Sequence, residues 1–219
     1  MHKLDRSSVP VPVCLAAPTV TRYDDLRGAE KNTIRTALFT IQGERCAYCE
    51  RRTGTGRDEG HIEHFRDQAG HTHLQLHWPN LFWSCKDEST CGKHKDKCDR
   101  PAGTGTQAVF NADEIIDPCV DDPDGYLLFV FDGTVRPRDG LSEQAARRAS
   151  ETIRVFQLAD SALLRKSRED AVKPYISILN SLRLYAPDKL QTYATSELTN
   201  TAAAPFSTAI RHFLHQFAQ

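Results

Sequence analysis

The chain carries almost no surplus of charge of one sign: among its 219 residues, 28 Lys and Arg face 29 Asp and Glu, for a formal net charge of -1. A protein that coats nucleic acid by bulk charge is thereby excluded, and any nucleic-acid site has to be a local patch or be completed by a partner. Long hydrophobic runs are missing too. No stretch approaches the ~20 apolar residues that span a bilayer, so no membrane is expected among the partners. The opening MHKLDRSSVPVPVCLAAP has only a short apolar run, broken by Pro10, Pro12 and Pro18. It lacks the clean apolar core of a signal peptide and reads as the extended start of a cytoplasmic protein. No internal repeat is visible. With 39% hydrophobic and 26% charged residues, the composition is that of a folded globular protein. The length fits one ordinary domain, or a small domain wrapped in helical additions.

What is present is cysteine, in an odd number: seven, four of them clustered with His and Lys. In a chain without a secretion signal such usage points to metal binding rather than disulfides. Cys46-x2-Cys49 and Cys85-x5-Cys91 supply four thiolates, enough for a closed tetrahedral structural Zn2+. The first pair fits a knuckle on a β-turn and the second the entry to a helix. Cys98 could stand in for Cys91, and Cys14 and Cys119 are left as free thiols, Cys119 packed in the core.

Between and just after the two pairs lie HIEHFRD (61–67), WPNLFWSC (78–85) and CGKHKDK (91–97). Hydrolysis of a phosphodiester needs a base that is neutral at working pH, which suits a histidine, and a divalent cation, Mg2+ or Mn2+, to neutralise charge on the phosphate. His64 is the candidate base and Glu63 the first ligand of that cation. Neighbours on an extended strand point to opposite faces, so the Glu63-His64 step is expected at a strand end. His61 shares a face with Glu63 and is an alternate ligand. Asn80, whose amide both donates and accepts, can pin the loop that carries the base; a plain turn Asn is the bland alternative. His94 is expected on the first turn of the second helix, completing the cation site opposite Glu63. Lys93, Lys95 and Lys97 can meet nucleic-acid phosphates, or form a solvated face diluted by Asp96 and Asp99.

At these residues the chain resembles the HNH endonuclease superfamily, and GERCAYCE (43–50), HIEHFRD, WPNLFWSC, CGKHK (91–95), DPCVDDPDGYLLFVFDG (117–133) and ETIRVFQLAD (151–160) look like the PtuB-type HNH subunit of bacterial Septu anti-phage systems, also found beside retrons. The resemblance covers most of the chain. It implies a ββα-metal nuclease gated by an ABC/SMC-like ATPase partner of the PtuA type, with His64 as base, Glu63 as metal ligand, Asn80 as positioning residue and the four cysteines on zinc. One departure stands out: where many such proteins place the helix His directly after the second cysteine of the late pair, this chain has Gly92, which leaves the third ligand open. DNA is the favoured substrate, with RNA such as tRNA the alternative, because the chemistry meets mainly phosphate. A reading from another class is a zinc-stapled binding module without catalysis.

The remaining pattern gives an α+β fold: an N-terminal arm and helix over 1–43, the nuclease domain with zinc site and hairpin over 44–139, and a helical region over 140–219. A helix is expected over 24–42, capped by Asp24 or Asp25 and ended by Gly43. YLLFVF (126–131) reads as a strand entering a type I′ turn at Asp132-Gly133. Helices are expected over 142–158, capped by Ser142; over 160–184, capped by Asp160 and kinked or interrupted at Pro174; and from Pro205 onward, with 186–204 a loose loop. Asp117, Asp121, Asp122 and Asp124 read as a turn-rich hairpin entry rather than a cation site.

Overall fold

The computed structural model describes residues 1–17, 19–98 and 109–218; Pro18 and Asp99 lie outside the described residues. Helix α1 (Gly28–Ile41) buries Ile34 and Leu38. It starts later than expected because Asp25 accepts from the amides of Thr21 and Arg22 and so closes a separate 3-10 turn at Tyr23–Asp25. The α1 start is fixed instead by Glu30, whose carboxylate accepts from the Arg27 amide at 2.6 Å. Its end follows the expectation. Gly43 takes φ +59, its amide donates to Thr40 and that of Glu44 to Phe39, the paired bonds of a Schellman ending.

Strands β1 (Gly60–His64) and β2 (Leu81–Cys85) pair antiparallel, with Ile62 opposite Trp83 and Glu63 opposite Phe82. Helix α2 (Cys91–Cys98) follows directly. Alternation gives this two-stranded sheet two distinct faces. Ile62, Leu81 and Trp83 join the core beneath α1. Phe82 joins the larger core that also holds Tyr48, Phe156 and Phe213. Gly60 is required by close approach, since a Cβ there would lie 2.5 Å from the Trp83 ring.

A second hairpin, β3 (Leu127–Phe129) with β4 (Val135–Pro137), is shorter than the apolar run suggested. Its turn is not type I′: Gly133 takes φ +81 but Asp132 is not among the residues of positive φ. The Gly133 amide donates to Val130 and the Val130 amide to Thr134, leaving a three-residue loop closed by glycine. Helix α3 (Glu143–Val155) has the expected cap, Ser142. Helix α4 (Ala162–Tyr185) is capped by Ser161 rather than Asp160 and continues through Pro174. The expected loop at 186–204 instead holds helix α5 (Leu190–Asn200). Its apolar residues are few, but Leu190, Tyr193, Ala194 and Leu198 fall at helical spacing and pack on the large core. Helix α6 (Ser207–Leu214) begins after Phe206, two residues later than Pro205. The acidic segment is consumed internally: Asp121 pairs with Arg148 at 2.6 Å and Asp124 with Arg211 at 2.5 Å. Cys119 is half-buried, accepting from Arg6 Nε at 3.1 Å.

Candidate active site

The cysteine cluster assembles from three separate pieces of chain. The Cys46 amide donates to Arg51, and Arg45 and Arg52 bridge, so residues 45–52 close as a tight knuckle. Glu50 sits there at φ +63, an expensive conformation for a non-glycine residue. Its buried carboxylate is held by the Thr208 amide at 3.0 Å and by the hydroxyls of Thr208 and Ser207, which ties the knuckle to α6. Cys85 ends β2, and Cys91 opens α2, its amide bonded to Phe156. All four sulfurs are buried and lie within 4.8 Å of one another. The Cys49–Cys85 separation of 3.9 Å matches the edge of a tetrahedron with metal–sulfur bonds of about 2.3 Å. The residues present therefore fit a metal such as zinc. Cys98 does not replace Cys91: its sulfur lies 3.9 Å from His94 Nδ1, outside the cluster.

A second group lies on the α2 side of β1. His61 Nε2 stands 3.0 Å from Glu63 Oε2, and ligand atoms of His61, Glu63 and Asp96 lie within 4.8 Å of one another. Glu63 is 2% exposed, and His61 Nδ1 is buried without a hydrogen-bond partner. One nitrogen and two carboxylates with an exposed member suit an open site for a hard divalent cation. Gly92 explains the departure visible in the sequence: a Cβ there would fall 2.5 Å from Glu63 Oε2 and 3.0 Å from His61 Nε2. The helix can approach the carboxylate only because this position has no side chain.

His94 is not brought to this group. It lies about 200° round the helix from Gly92, and its Nδ1 donates to the Val155 carbonyl at 2.8 Å. The candidate ligand that the helix does bring to Glu63 is Asp96, one turn after Gly92 and on the same face. By residue type alone Asp96 looks like mere dilution of a lysine face; the signal available was the Gly92-to-Asp96 spacing of four. Lys95 is not the phosphate contact its type suggests. It is fully buried, with Nζ 3.0 Å from Glu63 Oε1 and 3.2 Å from Asp96 Oδ1. Lys97 bonds the Glu88 carbonyl, and Lys93 is half-buried. Burial acts to raise the Glu63 pKa, but Lys95 and His61 outweigh it and hold the carboxyl below its ordinary value. Burial and then Glu63 hold Asp96 above its own.

His64 closes β1, and its side chain occupies the opposite face from Glu63. Its ring meets Tyr23 edge-on at 4.7 Å, and Nε2 lies 3.0 Å from the Gln75 carbonyl. A carbonyl only accepts, so Nε2 carries the proton and Nδ1 keeps a free lone pair. Burial, the largest cause, holds this imidazole below its ordinary pKa. Asn80 pins the loop between β1 and β2: Oδ1 accepts from the Arg66 amide at 2.8 Å, and Nδ2 donates to the Arg66 and Leu74 carbonyls at 3.1 Å each. Leu74 is the neighbour of Gln75, so Asn80 fixes the segment whose carbonyl orients His64. Tyr23 and Gln75 carried no signal in the sequence that tied them to this site.

No family model matches the chain. The chain is 29% identical over 97 residues to the Septu protein PtuB of Bacillus thuringiensis, covering 44% of this chain and 33% of that protein. It is 35% identical over 78 residues to the HNH endonuclease candidate of retron Vc95 from Vibrio cholerae serotype O1 biovar El Tor, covering 32% of this chain and 37% of that protein. The resemblance to HNH-type defence nucleases carried by the motifs is borne out. The chain spans about a third of the length of the curated relatives it matches. No helix among the described residues is long and apolar enough to cross a membrane.

Proposed function

We propose that the chain is a metal-dependent endonuclease that hydrolyses phosphodiester bonds, with β1, β2 and α2 as a ββα-metal (HNH) core. In this reading it is the effector of an anti-phage complex and acts with an ABC/SMC-like ATPase. The observation that carries the reading is the group formed by His61 and Glu63 of β1 with Asp96 of α2, on a strand whose last residue is an imidazole tied to a main-chain carbonyl. A Mg2+ or Mn2+ ion held by those three residues would neutralise charge on the scissile phosphate and the leaving oxygen. His64, neutral at neutral pH, takes a proton from the attacking water at Nδ1, while Gln75 holds the ring through Nε2 and Asn80 holds Gln75 in place. Zn2+ on the four thiolates would fix the knuckle against the sheet and helix. DNA is the first substrate to test and RNA the second. The near-zero net charge supports dependence on a partner.

The test is cleavage of plasmid DNA and of total tRNA by the purified chain with Mg2+ or Mn2+, with and without the ATPase, beside His64→Ala. The expected result is cutting that falls by about 10²- to 10⁴-fold in the variant, with its thermal melt unchanged. A second reading, a zinc-stapled binding module without catalysis, is favoured by two observations. Lys95 already neutralises Glu63, and Glu63 and His64 face opposite sides of β1. That module would tolerate His64→Ala and lose function in Cys46→Ser; no cutting under any of these conditions would establish it over the nuclease.

A further inference from the structure

We propose that the cations of α1, Lys31 and Arg35 with Arg27 beside them, form the track that grips the phosphodiester backbone of the substrate. The inference rests on the nuclease reading above. Positions 27, 31 and 35 recur every four residues and so fall on one side of the helix. The row borders the buried face, and the charged ends of Lys31 and Arg35 lie over aromatic rings. Lys31 Nζ stands 4.6 Å over the Tyr23 ring, the same ring that meets His64 edge-on at 4.7 Å. The Arg35 guanidinium lies 5.5 Å over Trp83, the β2 partner of Ile62, two residues before His64. Arg57 reaches the same helix at its start, against Gly28. The row therefore runs on the His64 side of the sheet.

No carboxylate among the described residues pairs with these groups; Arg22, Lys93 and Arg147 are likewise without an ion pair, and what sets this row apart is its place over the Tyr23 and Trp83 rings. Among the described residues, Arg66, Arg148, Arg165, Lys166 and Arg211 each pair with an acid, whereas Arg27, Lys31, Arg35 and Arg57 pair with none. The neighbouring acids are occupied: Asp25 and Glu30 accept from main-chain amides. Asp24 is the exception, an exposed acid whose charge reaches His64. Arg35 donates from Nη1 to Asn32 at 2.9 Å, and its Nε is buried without a partner. Of the α2 lysines, by contrast, Lys95 is committed inside the protein and Lys97 is engaged by Glu88 at the surface. An unpaired cation row beside a candidate base suits a polyanion that passes the base, and backbone phosphate is common to DNA and RNA.

The test is fluorescence anisotropy of labelled duplex DNA and of total tRNA with the full chain in EDTA, from about 50 to about 200 mM salt, beside a cleavage assay. The double variant Lys31→Ala/Arg35→Ala is expected to lose at least tenfold in affinity, and its log–log salt slope on duplex DNA to fall by about 2. Lys31→Arg should bind as the wild type, and so should His64→Ala, which removes the base but not the track. Binding to either nucleic acid that depends on these two cations supports the proposal, and the preferred probe names the substrate. If the wild type cuts and the double variant binds and cuts equally well, the track is wrong while the nuclease stands; loss of binding in Lys93→Ala alone would also overturn the track and spare the nuclease. If the wild type neither binds nor cuts, the nuclease reading falls and this proposal with it. Should the double variant lose its cooperative melt, the single Lys31→Glu at the half-exposed position decides.

Discussion

The two candidate metal centres lie on either side of α2's first turn and are built on opposite plans. The cysteine centre uses four identical, buried ligands, enough to close a tetrahedral set. The second mixes an imidazole with two carboxylates, keeps Asp96 half exposed, and is neutralised from within by Lys95. A closed set of like ligands holds chain segments together, whereas a mixed and open set leaves a coordination position for a reacting group. Gly92 lies next to Cys91 in sequence and against Glu63 in space, so it is the hinge between the plans. One short helix thus contributes its first residue to the closed set and a residue of its next turn to the open one.

The largest effect should come from the closed centre. Cys46→Ser should release bound zinc, measured by metal analysis, and cost at least about 4 kcal/mol, a drop in melting temperature on the order of 10 °C. Retention of both metal and melt would remove the structural role assigned to the cysteines. At the open centre, Lys95→Met should strand a buried Glu63 charge and cost about 3 kcal/mol in EDTA, with Mn2+ restoring part of the loss in a denaturant titration. An absence of any Mn2+ effect would mean that the three residues hold no cation. The smallest change is Gly92→Ala. Helix propensity alone would favour alanine, yet the added methyl displaces Glu63, so Mn2+ affinity should fall about tenfold while zinc content and melt stay near wild type. If both centres weaken together, the division drawn between them is wrong.

The parts of the site visible in the sequence were those set by short-range spacing. Cys46, Cys49, Cys85 and Cys91 do converge, the Glu63-His64 step does end a strand, and Asn80 does pin the loop. The errors fell where side-chain direction on a helix decides. His94 looked like a ligand by residue type but faces Val155, and Lys95 looked like a surface cation but is the most buried group of the centre. Composition also hid α5, whose sparse apolar residues matter only because a core was there to receive them.

By itself the sequence determined the α+β pattern, the four thiols and the strand-end His64, because residue type, alternation and turn chemistry act over a few neighbours. Only the tertiary structure decided that Asp96 rather than His94 joins Glu63, that Lys95 turns inward, and that α1 lays Lys31 over the Tyr23 ring that meets His64. Those outcomes depend on the angle at which each helix meets the sheet, which is set by packing among residues far apart in the chain.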